Sequence, residues 1–359
     1  MAKKTPLYQC HLDASAKMVD FAGWDMPIHY GSQIIEHEIT RSDAGMFDVS
    51  HMTVVDVTGA DSGAYLSYLL ANDIGKLKQH GKALYSCMLN AEGGVVDDLI
   101  VYFLSDQLYR VVINSATRDK DIAWLNRQAE NFTNLSLVER GDIAMIAVQG
   151  PAARTKTLSL FESNRTLLES LGRFEAVDIG DFFIARTGYT GEDGFELLMP
   201  IDQAADCWQR LLKAGVKPCG LGARNTLRLE AGMNLYGTDM DETTSPLCSG
   251  LAWTVSMNDG RNFIGKTALE QEQQLGLKQQ MVGLVLKDKG VLRDHLKVMT
   301  VNGAGAITSG SYSPTLGKSI ALARIPSGVS GEVAVEVRNK YLKADVVKIP
   351  FVRLGQSCI

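Results

Sequence analysis

The chain has 359 residues, of which 45% are hydrophobic and 21% charged, and its formal net charge is −5. That length accommodates two or three domains with substantial cores, and the composition is ordinary for a soluble globular enzyme. Lys and Arg are scattered, with no basic cluster interleaved with aromatics, so nothing in the charge pattern favours a nucleic-acid partner.

The amino terminus has no apolar signal core, and no stretch approaches the ~18 apolar residues of a membrane helix. No membrane partner is therefore expected, and the predicted address is the bacterial cytoplasm. Cys10, Cys87, Cys207, Cys219, Cys248 and Cys358 lie far apart without a Cys-x-x-Cys pair, which suits a reducing compartment better than a disulfide framework or zinc site. His37-Glu38 lacks the second His of a helical zinc motif, and no metal is expected. Asp48, Ser50 and His51 lack the Gly-flanked elbow of a nucleophile triad and read as a packed loop.

Residues 53–57 read as a strand, 61–70 as a helix and 83–89 as another strand. After the Gly93-Gly94 turn, residues 95–104 are strongly β-forming yet contain Asp97-Asp98, and Asp is a poor strand residue. Alternation sends the two carboxylates to opposite faces, so one points inward, either as a turn-capping acceptor or, in a cleft, as a base or electrostatic stabiliser. Residues 108–113 complete a hairpin. Residues 116–130 form a helix with Ile122 and Leu125 inward, and 135–138 form a strand. This order suits a ferredoxin-like α+β module.

Residues 143–148 are a further strand, with 141–150 an ordinary strand exit, and 182–186 and 194–199 follow. Glu196 shares its strand face with Leu198, and a carboxylate on an apolar face needs a partner: a structural Arg, backbone N–H groups, or a ligand edge with two adjacent donors. A helix over 203–212 carries Cys207, Trp208, Leu211 and Leu212. The Gly-rich turn after Pro218 leads into a helix from near Ala223 to near Gly232, where Arg224 and Arg228 stand one turn apart. Two like charges there suit an acidic or polar ligand, or two separate structural carboxylates. Residues 270–280 are the linker candidate. Beyond them, strands at 281–286, 296–301, 319–323, 332–337 and 344–349 imply a small β-barrel. No Walker or Rossmann fingerprint is present.

Together these residues resemble a known family. Asp20-Phe21-Ala22-Gly23-Trp24, Pro27-Ile28-His29-Tyr30, Glu36-His37, Arg41, the run Gly45 to Met52, the Gly93 to Tyr102 strand, Gly188 to Gly194 and Gly220 to Gly232 form an ordered set. The set resembles the glycine cleavage T-protein (aminomethyltransferase) family along essentially the whole chain. The resemblance implies an α+β fold of three domains around a central folate site: residues 1–50 with 141–226, residues 51–140 with 227–276, and a C-terminal barrel at 277–359. It implies transfer of a methylene from the aminomethyl-lipoyl group of H-protein to tetrahydrofolate, a co-substrate, with release of ammonia. The functional companions are then the P- and L-proteins.

By the same resemblance Asp97 is the catalytic aspartate, Glu196 grips the pterin edge and Arg224 is a folate-site arginine. Tyr85, Asn114 and Tyr189 line the pocket, Met52 contacts the pteridine face, and Arg353 lies in the family's carboxy-terminal Phe-Val-Arg segment. Arg228 and Glu230 are assigned to structure. Asn225 departs from an Asp expected after the Arg, and the Ser249-Gly250-Leu251 stretch and the tail are idiosyncratic. The chain lacks the Lys-Gly-Cys motif of the folate protein of iron–sulfur maintenance, and it lacks the dinucleotide fingerprint of flavoenzymes that carry a related folate domain.

Overall fold

A computed structural model describes residues 2–359. The chain divides into two compact units. One comprises Met1–Tyr65, Gly75–Leu84 and Leu99–Leu227, the other Leu66–Ile74, Tyr85–Asp98 and Arg228–Ile359.

The first unit is built on a six-stranded sheet in the order Ala176–Ile179, Phe182–Ala185, Gly194–Pro200, Ile143–Gln149, Gly45–Asp48, Lys217–Pro218. Its pairings are antiparallel except the last, which is parallel. Apolar side chains cover both faces, which is why its strands read as near-continuous hydrophobic runs. One face packs Met46, Ile146, Val148, Leu197 and Met199 against Trp208 and Leu211 of the Ala204–Lys213 helix. The opposite face carries Phe47, Met145, Ala147, Phe183, Ala185 and Leu198. Two short antiparallel strands, Lys17–Phe21 and Trp24–His29, precede the Gln33–Ser42 helix.

A second sheet orders Ala83–Leu89, Val95–Ser105, Leu108–Ile113, Thr53–Thr58 and Ser136–Glu139, with the helices Ser62–Leu69 and Arg118–Ala129 between its strands in sequence. This is the expected ferredoxin-like alternation with one added edge strand. Leu125 is buried as expected, but its companion one turn earlier is the fully buried Asp121, while Ile122 is half-buried. The inward stripe runs through positions 117, 121 and 125, so an apolar-only reading of the periodicity was rotated by one residue.

In the second unit, six strands close into a barrel: Gln279–Leu286, Lys318–Pro326, Gly303–Ser313, Lys297–Thr300, Glu332–Val337 and Lys340–Val347. Leu284, Val298, Ile307, Ala323, Ile325 and Val335 fill it. The Gly303–Ser313 strand was not expected, because its Gly and Ser content reads as loop; ladder pairing to two neighbours overrides that propensity. The expected linker at 270–280 is instead largely helix, Lys266–Leu275, with Leu269 buried. No helix among the described residues is long and apolar enough to cross a membrane.

Candidate functional site

Glu196 is the starting point in the first unit. It lies mid-strand with alanine opposite on both sides, Ala147 on one neighbouring strand and Ala185 on the other. Small neighbours leave the carboxylate space that larger side chains would fill. Among the described residues one side-chain donor reaches it, the Thr187 hydroxyl, which itself lies 3.2 Å from the Tyr102 hydroxyl. Burial pushes the Glu196 pKa above its ordinary value, and the Thr187 hydrogen bond and the Arg224 charge offset part of that rise.

Arg224 stands in the first turn and a half of the Leu221–Glu230 helix, which begins slightly earlier than expected and is followed by Gly232 at φ 67°. Its start is fixed by the buried Glu36, whose two carboxylate oxygens accept from the Tyr30 N–H (2.7 Å) and the Gly220 N–H (2.8 Å). Gly220 is required because a Cβ there would stand 2.4 Å from the Ile28 carbonyl oxygen. The Arg224 guanidinium carbon lies 4.4 Å from the centre of the Tyr189 ring, a cation–π contact. Structure thus brings Glu196, Arg224 and Tyr189 into one cluster.

The loop that delivers Tyr189 and Glu196 is clamped. Arg41 donates to the Thr190 carbonyl (2.8 Å) and to Glu192 (2.7 Å), in an ion pair that is almost wholly buried. Arg186 grips Asp193 through two nitrogens, at 2.9 and 2.6 Å. The buried Gln149 reaches in from the strand end.

His51 is buried beside this cluster, its ring edge-on to Phe21 with centroids 5.5 Å apart. Its Nδ1 has no hydrogen-bond partner among the described residues. Burial and the Arg224 charge push its pKa down to about 4, with Asp48 pulling the other way, so it is neutral near pH 7. Met52 is half-buried against the Phe47 and Leu198 cluster. Asn114 is half-buried just after the Leu108–Ile113 strand, and its carbonyl accepts from the Thr117 hydroxyl at 3.2 Å.

In the second unit alternation separates the paired carboxylates. Asp97 has no exposed surface and shares its face with the buried Val95. Asp98 is half-buried and accepts a hydrogen bond from the Tyr85 hydroxyl at 2.8 Å. The Tyr85 ring is stacked on Trp253 at 5.5 Å and 21°, and Trp253 is 66% exposed. Arg353 is exposed on a two-residue strand paired with Gln356. Arg228 and Glu230 are structural as expected: Arg228 donates to Asp239 and Ser309, and Glu230 accepts from Ser313 and Thr315.

Thr187, Gln149 and Trp253 escaped the sequence reading, and His51 entered it only as part of a packed loop. The available signal was a polar residue closing an apolar run, Gln149 after Val148, and it was taken for a strand exit. Chemically, the first-unit cluster offers a half-buried acceptor carboxylate and a stacked cation, and the second-unit cluster a half-buried carboxylate beside an aromatic platform.

Comparisons with known proteins agree in one direction. Residues 7–259 match the GCVT N-terminal domain and residues 279–353 the glycine cleavage T-protein C-terminal barrel domain. The chain is similar to proteins named aminomethyltransferase from Nitrosomonas eutropha, 57% identical over 100% of both chains, and from Xylella fastidiosa, 56% identical over 99% of this chain and 98% of that one. The crystal structure of glycine cleavage system aminomethyltransferase T from Bartonella henselae superposes with a TM-score of 0.91 at 34% identity, covering 99% of each chain.

Proposed function

Since the chain belongs to the glycine cleavage T-protein family, whose named relatives are aminomethyltransferases, we propose that it transfers the methylene of an aminomethyl-lipoyl group on H-protein to tetrahydrofolate. Ammonia leaves, methylene-tetrahydrofolate forms and reduced lipoyl stays on its carrier. The observation that carries this reading is Glu196: a half-buried strand carboxylate with raised pKa and one hydroxyl donor is poised for the two-donor edge of a pterin. Arg224 and Tyr189 then hold the pterin from a stacked pair, with Met52 and Asn114 as flanking contacts.

The catalytic carboxylate belongs to the Asp97-Asp98 pair, where it orients the reacting nitrogen and favours positive charge in an iminium-like transition state. The resemblance assigned it to Asp97. Asp97, with no exposed surface, is proposed as that group, and Asp98, half-buried on the opposite strand face and hydrogen-bonded by the Tyr85 hydroxyl, is its internal control. In this reading the chain works with lipoylated H-protein, and with the P- and L-proteins around it, in the bacterial cytoplasm. Its division is into 1–50 with 141–226, 51–140 with 227–276, and 277–359.

Mixing the protein with aminomethyl-lipoylated H-protein and tetrahydrofolate tests the proposal. Stoichiometric ammonia and methylene-tetrahydrofolate are expected. Folate binding without ammonia release would make the chain a binder and overturn the transferase reading.

A further inference from the structure

Gln149 ends the Ile143–Gln149 strand, has no exposed surface and takes no part in the chemistry proposed above. Its Nε2 donates to the Thr187 carbonyl at 3.0 Å and to the Val148 carbonyl at 3.3 Å, while its Oε1 accepts from the Thr190 hydroxyl at 2.8 Å. These bonds bracket Gly188 and Tyr189. Space is closed as well as bonded: a Cβ on Gly188 would stand 2.0 Å from Gln149 Oε1 and 2.4 Å from its Cδ, although no positive φ requires glycine there. Arg41 and Arg186 hold the later residues of the loop, Thr190, Glu192 and Asp193, and Gln149 fixes its first half.

We propose that Gln149 is the positioning residue of the pterin-binding cluster: its carboxamide sets the 187–190 backbone so that the Thr187 hydroxyl meets Glu196 and the Tyr189 ring lies under Arg224. The inference rests on the folate reading for its ligand, though not for its geometry. A primary amide suits the task because one planar group must donate to two carbonyls and accept from a hydroxyl. A carboxylate keeps the shape and the acceptor but loses both donations and faces two carbonyl oxygens.

The test uses the full chain with Gln149→Ala, Gln149→Glu, Gly188→Ala and the Gln149→Ala/Gly188→Ala double variant. Tetrahydrofolate affinity is read by calorimetry, kcat and KM by ammonia release, and loop order by hydrogen exchange over residues 187–194. Each single variant is expected to weaken folate binding roughly tenfold through KM, with kcat changed by less than about twofold and loop exchange accelerated. Loss in the double variant should be smaller than the two single losses combined, because removing the amide vacates the space the new Cβ needs. Wild-type affinity in Gln149→Glu, or a lowered melting temperature in Gln149→Ala with unchanged KM and exchange, would overturn the inference. If the wild type binds no folate while exchange over 187–194 still rises in Gln149→Ala, the folate reading falls and the positioning role stands.

Discussion

Glu196 in the first unit and Glu230 in the second are both carboxylates in largely apolar surroundings, yet they are treated differently. Glu230 accepts from the Ser313 hydroxyl, the Thr315 N–H at 3.1 Å and the Thr315 hydroxyl at 2.7 Å, so both its oxygens are engaged. Glu196 is met by the Thr187 hydroxyl and flanked by alanines. One helical turn apart, Arg228 is tied to Asp239 and Ser309, and Arg224 is stacked on Tyr189. A charged group whose capacity is filled by its own fold is structural, and one whose capacity is left open marks where a ligand belongs.

The largest expected effect lies on the engaged side. Glu230→Ala removes three hydrogen bonds to one carboxylate and should cost about 3 to 5 kcal/mol of stability. Urea denaturation checks it, and a loss below ~1 kcal/mol would erase the contrast. Glu196→Gln should do the reverse. Because its folded pKa is raised, Glu196 contributes stability that is present below its ordinary pKa and lost as pH rises through the folded value, so at pH 7 the neutral amide should leave stability unchanged or higher. Folate affinity should nonetheless fall by about 2 to 5 kcal/mol, and calorimetric titration beside a melting curve reads both signs at once.

Within one strand, Asp97→Asn should lower turnover by on the order of 10²-fold, whereas Asp98→Asn should do less. Single-turnover ammonia release with both variants decides the assignment, and the opposite pattern moves the catalytic role to Asp98. The smallest effect concerns His51, whose pKa is depressed to about 4. Between its ordinary pKa and about 4 the unfolded chain binds a proton that the folded one does not, so stability falls as pH drops through that window, by ~2 kcal/mol at pH 5. His51→Gln should flatten this slope in pH-dependent unfolding. An unchanged slope would place the acid sensitivity of that window at another group, and not at Asp48, whose buried bonds to His11, Thr5 and Ser50 are lost only below its own ordinary pKa.

Periodicity disclosed the strands at Ala83–Leu89 and Glu332–Val337 to the residue and the paired helices of the ferredoxin-like module, because these bury regular apolar faces. It missed Gly303–Ser313, which owes its extension to pairing on both sides, and it placed a linker on a helix that buries one leucine. At the candidate site, Glu196 and Arg224 were legible as charges in the wrong company. Gln149 and Thr187 were not, since an uncharged polar residue breaks no rule until its partners, 38 and 9 positions away, are known.

The discontinuous units also bear on synthesis. Residues 66–74 and 85–98 belong with a unit whose last segment begins at Arg228, so about 130 residues must follow Asp98 before the rest of that unit is made. At ribosomal rates that is a wait of roughly 10 s, longer than most local folding steps. During it Ala71, Cys87, Leu89 and Val95, which pack with Met240, Leu247, Leu251 and Phe263 in the finished unit, await that later cover. Slowing synthesis of the segment after Arg228 is then expected to lower soluble yield in cells while leaving the turnover of the purified protein unchanged.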